Sequence, residues 1–132
     1  MPAKIIALTV MLSTFATQIV AADFRSTTRM RVNVLTSTEF EVSGNARFGA
    51  QSYWCAAAQF ARARLDLQMR DRLYVSKPLK RSGPVAFSTV KPEDANGGTF
   101  LTVSQTTGVV GGNMSVGKAG NYCGDESPGA IN

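Results

Sequence analysis

The sequence predicts an α+β domain, with one helix packed on a mostly antiparallel sheet of about five strands in ββαβββ order and a glycine-rich C-terminal tail tied by a disulfide. Three observations predict it. Residues 51–65, QSYWCAAAQFARARL, carry a helical signature. Short runs on either side of them alternate apolar and polar residues, as half-buried strands do. From residue 105 onward glycine recurs, and the second of the two cysteines, Cys123, lies in that region.

In chain order, residues 1–22 read as a secretory signal peptide rather than part of the fold. Lys4 gives a positive start, residues 5–16 are mostly apolar, and Val20, Ala21 and Ala22 supply small residues for cleavage. A membrane-spanning helix needs roughly 20 predominantly apolar residues, and Ser13, Thr14, Thr17 and Gln18 interrupt this run. The mature chain is expected to start at Ala22 or Asp23. That leaves a single domain over 23–124, enough for one core, followed by a flexible end over 125–132.

Residues 23–29 are polar and read as a loose arm. In 30–35, Met30, Val32 and Val34 alternate with Arg31 and Asn33, and in 39–43 Phe40 and Val42 alternate with Glu39 and Glu41. Together these predict a hairpin with one buried face, its glutamates placed across from Arg29 or Arg31. In the helix, Tyr53, Trp54, Ala57, Ala58, Phe60, Ala61 and Leu65 share one face at 100° per residue, while Gln59 and Arg62 point away. Ser52 is the expected N-cap, and Phe48 is expected to pack back on the first turn. The alanines let the helix lie close to the sheet. Cys55 falls beside Gln59 and Arg62, on the outer flank.

After the helix, strands are expected at 72–76, 85–90 and 99–104, with the clearest turn, KPEDANGG, at 91–98. A further short strand is expected near 113–116. The two cysteines, in an exported chain, read as a disulfide between Cys55 and Cys123 that clamps the tail across the helix flank.

The chain has a net charge of +5 and no histidine. The missing histidine removes the usual general base near neutral pH and rules out Ser-His-Asp and Cys-His chemistry within the chain. Paired carboxylates stay open as a scheme: Glu39 and Glu41 share a strand face and could divide acid and base roles. A solvated, Arg-balanced face is the simpler reading. Gly112-Asn113-Met114-Ser115-Val116-Gly117-Lys118 matches a phosphate loop up to its last position, where Ala119 replaces the Ser or Thr that holds Mg²⁺. Its glycines are better assigned to turns. Asn113-Met114-Ser115 is formally a glycosylation acceptor. Arg72, Tyr74 and Lys77 offer cations and an aromatic for base stacking, but Tyr74 also has the parity of a core residue, and export argues against nucleic acid. No residue is assigned to catalysis, to a cofactor or to a metal.

Residues 40–75 place a strand ending in Val42-Ser43-Gly44 before the Ala-rich helix with Cys55, and a further strand after it. This V-x-G strand, helix and strand resembles an arrangement that recurs in small exported proteins of Gram-negative bacteria. The resemblance implies a periplasmic setting and brings no activity with it. The expectation is therefore a periplasmic or extracellular protein of the cell envelope that binds or assists and is not an enzyme; an inhibitor of an envelope enzyme is a specific form, acting through 80–84 or the tail. Its expected partner is a protein or an envelope polymer, without nucleic acid and without stable membrane insertion once the signal is removed. A carboxylate hydrolase and a binder of anionic polymer are the alternatives.

Overall fold

The computed structural model describes residues 24–95 and 107–126. The expected signal peptide with its expected cleavage site at Ala22 and Asp23, the strand expected at 99–104 and most of the end expected to be flexible lie outside the described residues.

The element order is β1 (Phe24–Arg25), β2 (Arg31–Val34), β3 (Glu39–Ser43), α1 (Ala50–Arg64), β4 (Arg72–Lys77), β5 (Val85–Ser88), β6 (Asn113–Ser115), α2 (Val116–Gly120) and a 3-10 segment, Asn121–Glu126. The strands form a 6-stranded sheet ordered β1-β2-β3-β5-β4-β6, and every neighbouring pair is antiparallel. β3 and β4 therefore run in the same direction, with β5 between them and α1 as the connection. The fold is α+β, as the sequence predicts.

Period-2 patterning sets the two faces of the sheet. Val32, Phe40, Val42, Leu73, Val75, Val85, Phe87 and Met114 are buried beneath α1. Trp54 meets Phe87 edge-on at 4.9 Å, and Phe40 lies 4.7 Å from Phe60. The helical aromatics thus face the sheet, as the periodicity indicates. Ala56, Ala57 and Ala61, all fully buried, let the helix backbone come close. Gly44 closes β3 with φ +133, where a side chain would be strained, although a Cβ there would make only ordinary contact with Met30 Sδ at 3.4 Å.

Several expectations need correction. The arm at 23–29 begins with a strand: Phe24 and Arg25 pair with Val32 and Arg31. Two residues are too few to show a period, and the Phe24 ring on Phe60, 5.4 Å away, holds them. Glu41 lies opposite Asn33, and Arg31 lies opposite Ser43, so the glutamates do not face Arg29 or Arg31 across the hairpin. The N-cap is Gly49, without a side-chain cap hydrogen bond. Ser52 sits inside the first turn, where its Oγ accepts from the Phe48 amide at 3.0 Å. Phe48 itself is 61% exposed and makes no staple. Val34 ends β2 half-exposed rather than buried with Met30 and Val32. β5 ends at Ser88, whose hydroxyl accepts from the Val90 amide and donates to the Val90 carbonyl, turning the chain early.

The C-terminal region is better ordered than its glycines suggest. The backbone of Gly111 and Gly112 bonds Val75, and the Leu79 amide donates to Thr107, so 107–115 runs along β4. α2 then begins at Val116, with the Ser115 hydroxyl accepting from the Lys118 amide at 3.1 Å. This helix was not expected, because Gly117 and Gly120 depress its propensity.

Candidate functional site

Cys55 and Cys123 form a disulfide with an S–S distance of 2.10 Å across 68 positions of sequence. The bond joins the tail to α1 as expected, but the flank it joins is not a surface. Cys55 is 0% exposed and Cys123 5%. α2 and the 3-10 segment lie over this side of α1, with Val116 and Ala119 fully buried. α1 is therefore covered on two sides, and Ser52–Ala58 is buried throughout.

Beside this cover runs a groove of about 930 Å³. One wall is the N-terminal arm, with Phe24, Arg25 and Thr27. The other is the disulfide-held segment, with Gly117, Gly120 and Cys123. Ala58, Gln59, Arg62 and Ala63 of α1 line it between them, and 66–69 closes one end. Gln59 fixes the first wall: its Oε1 accepts from the Thr27 amide at 2.8 Å and its Nε2 donates to the Thr27 hydroxyl at 2.7 Å. Arg64 extends its guanidinium over the Phe24 ring, 5.6 Å from the centroid. Exposed as it is, its head takes up a cation–π position on this aromatic. The groove offers apolar surface from Phe24, Leu67 and Met69 beside cations at Arg25 and Arg62 and one carboxylate at Asp66. Such a mixture suits an amphipathic ligand or peptide.

The other face of the sheet carries Glu39 and Glu41. They share the face, but each is engaged separately. Ser76 Oγ donates to Glu39 Oε1 at 3.0 Å, and Asn33 Nδ2 donates to Glu41 Oε1 at 3.3 Å. Neither glutamate lines a described pocket. Tyr74 belongs to this outer face, half-buried, and not to the core, which Leu73 and Val75 enter instead.

The phosphate-loop match does fall between a strand and a helix, yet its backbone is occupied. The Gly112 carbonyl accepts from the Val75 amide, Leu73 and Met114 pair across the ladder, and the Val116 and Gly117 amides donate to Asp71 and Met69. The amides that would cradle a phosphate are spent within the chain. Asn113 is buried, with Nδ2 on the Gly111 carbonyl at 2.9 Å and Oδ1 accepting from Arg72 Nε at 2.7 Å. In the folded chain its amide nitrogen is closed to a glycosylating enzyme. Among the described residues, no group of ≥ 3 His, Cys, Asp or Glu side chains gathers as a metal site, and no helix is long and apolar enough to cross a membrane.

Sequence reasoning missed the groove, because its walls come from segments far apart in the chain. Only the two cysteines signalled that the tail approaches α1. No protein-family model, curated protein or solved structure matches this chain.

Proposed function

We propose that this chain is an exported binding or accessory protein of the cell envelope that acts without chemistry of its own. The groove beside α1 carries the reading. It is concave, partly apolar and walled by two segments that are each fastened to the helix, one through Gln59 and one through Cys55. Fastened walls lower the ordering cost of binding. Its partner is a protein segment or an envelope polymer, and inhibition of an envelope enzyme is one form the activity takes.

The disulfide supports export, because such bonds persist in oxidising compartments. The mostly apolar run over 5–16, preceded by Lys4 and followed by small residues ending at Ala22, supports the same route. The separate hydrogen bonds of Glu39 and Glu41 weigh against a carboxylate hydrolase.

The test is capture from envelope extract by the oxidised protein, compared with an Ala63→Trp variant that fills the groove from its exposed rim. A partner retained by the parent chain and lost with the variant supports the reading. Equal retention by both sinks it. So does turnover of an envelope substrate that Glu39→Gln or Glu41→Gln abolishes.

A further inference from the structure

One end of the sheet gathers positive charge. β1 ends and β2 begins there, so the turn between them presents Arg29 and Arg31. β3 ends at the same level, since Ser43 lies opposite Arg31. The loop that follows carries Arg47 and Phe48 into α1. β5 begins beside it, because Val42 pairs with Val85, and Lys77 at the end of β4 pairs with Ala86. The loop joining β4 to β5 therefore leaves from this end too, with Lys80 and Arg81. The Tyr53 hydroxyl donates to the Gly83 carbonyl at 2.9 Å and ties that loop to the first turn of α1.

All six of these cations are exposed. Segments 25–31, 43–50 and 77–85 contain no acidic residue. Asp66 and Asp71 follow α1 at the opposite end, Glu93 and Asp94 follow β5, and the nearest strand carboxylate, Glu41, lies two residues before the end of β3, opposite Ala86, with Glu39 further along the same strand. α1 starts at the cationic end with no acidic residue in its first turn, so the positive end of its dipole adds to the field. Neighbouring strands are about 4.8 Å apart, so β2 to β4 span roughly 15 Å across this end. Two of its arginines, Arg29 at φ 62 and Arg81 at φ 50, occupy left-handed positions where Gly or Asn would be less strained.

Phe48 stands among these charges and is 61% exposed. An acidic protein or polysaccharide would use the cations without requiring an apolar group at a loop tip. A bilayer uses both, with phosphates meeting Arg and Lys while an aromatic enters the headgroup boundary. We infer that this end of the sheet docks on the surface of an anionic phospholipid bilayer, with Phe48 as its apolar contact. The contact is peripheral. Neither Phe48 nor any of the six cations lines the groove beside α1, although Arg25 and Thr27 of the adjoining β1–β2 segment do.

The test is co-flotation of the oxidised protein with vesicles of phosphatidylcholine alone or mixed with phosphatidylglycerol. Binding is expected on the mixed vesicles only, falling steeply as salt rises. Each neutralisation among Arg47→Gln, Lys80→Gln and Arg81→Gln is expected to weaken it about fivefold, from roughly 1 kcal/mol per surface cation. Phe48→Ala, which removes an exposed ring and leaves the core intact, is expected to weaken it severalfold. Arg70→Gln at the opposite end and Ala63→Trp in the groove are expected to leave it unchanged. The Ala63 variant also separates failure of this inference from failure of the groove reading. Equal binding to neutral vesicles, or none to either kind, overturns the inference. So does binding to dextran sulfate that matches vesicle binding and ignores Phe48→Ala, which would assign the end to an anionic polymer.

Discussion

Gln59 clasps Thr27 with both ends of its amide, taking the Thr27 backbone N–H at 2.8 Å and giving a hydrogen bond to the Thr27 hydroxyl at 2.7 Å. One polar residue of α1 thereby fastens the first strand region to the helix. Replacing it with Leu keeps the size and removes both bonds. Gln59→Leu should lower stability by about 1–2 kcal/mol, from two part-buried hydrogen bonds. Urea unfolding reads that loss. Hydrogen exchange should show the Thr27 amide opening faster while the β3–β5 amides keep their protection, since those strands do not depend on the arm.

Cys55 and Cys123 close a loop spanning 68 positions. The chain-entropy model gives about 4 kcal/mol for a loop of this length. Changing both residues to Ala should lower the unfolding free energy by that order, read from urea unfolding. Reduction should also free α2 and the 3-10 segment before the sheet, because they depend most directly on the bond. Proteolysis within 116–124, absent from the oxidised protein, would check it. An intact mass showing two alkylated thiols in protein recovered from the exported fraction would refute the bond in the cell.

Burial raises the Tyr53 phenol above its ordinary value of 10.0. The folded state favours the neutral hydroxyl, which donates to the Gly83 carbonyl. Its contribution is therefore complete below the unfolded value of 10.0 and is lost as pH rises through the raised folded value. Tyr53→Phe should cost about 0.5–1.5 kcal/mol at neutral pH. It should also flatten the alkaline fall in stability relative to the parent chain. Parallel alkaline profiles for the two proteins would count against this account.

Phe40 sits between Phe60 on the helix and Phe87 on the neighbouring strand, at 4.7 and 5.9 Å. Phe40→Ala should cost about 3–5 kcal/mol by leaving a cavity under α1. Trp54 is fully buried and touches Phe87, so its fluorescence reports the same core. Emission should be blue-shifted in the parent chain and move red in this variant if the core loosens.

The elements that the sequence displays plainly are those whose own residues repeat a period. β2, β3, β4 and α1 are of this kind, and their bounds agree with the patterning to within a residue or two. β1 has only Phe24 and Arg25, and what makes it a strand is the Phe60 ring on another element. α2 contains Gly117 and Gly120, so its local propensity points away from helix, and docking on α1 decides the matter. Cys55 was legible as a disulfide partner. Its burial was not, because the cover comes from residues more than sixty positions away. The groove was hidden for the same reason. The cationic end of the sheet was visible in the sequence only as scattered Arg and Lys, and strand register gathers them.

The order β3-β5-β4 has a consequence for the chain as it is made. β3 is complete at Ser43, but its partner on one side, Val85–Ser88, is synthesised only after α1 and β4. Until then the edge of β3 is a bare template for any other extended chain. Glu39 and Glu41 alternate along that edge with the apolar Phe40 and Val42. Two like charges on a growing strand repel a second copy of it, which would bring the same two charges. β5 instead places Ser88 and Ala86 opposite Glu39 and Glu41, so the finished sheet sets no like charge across from either carboxylate on that side.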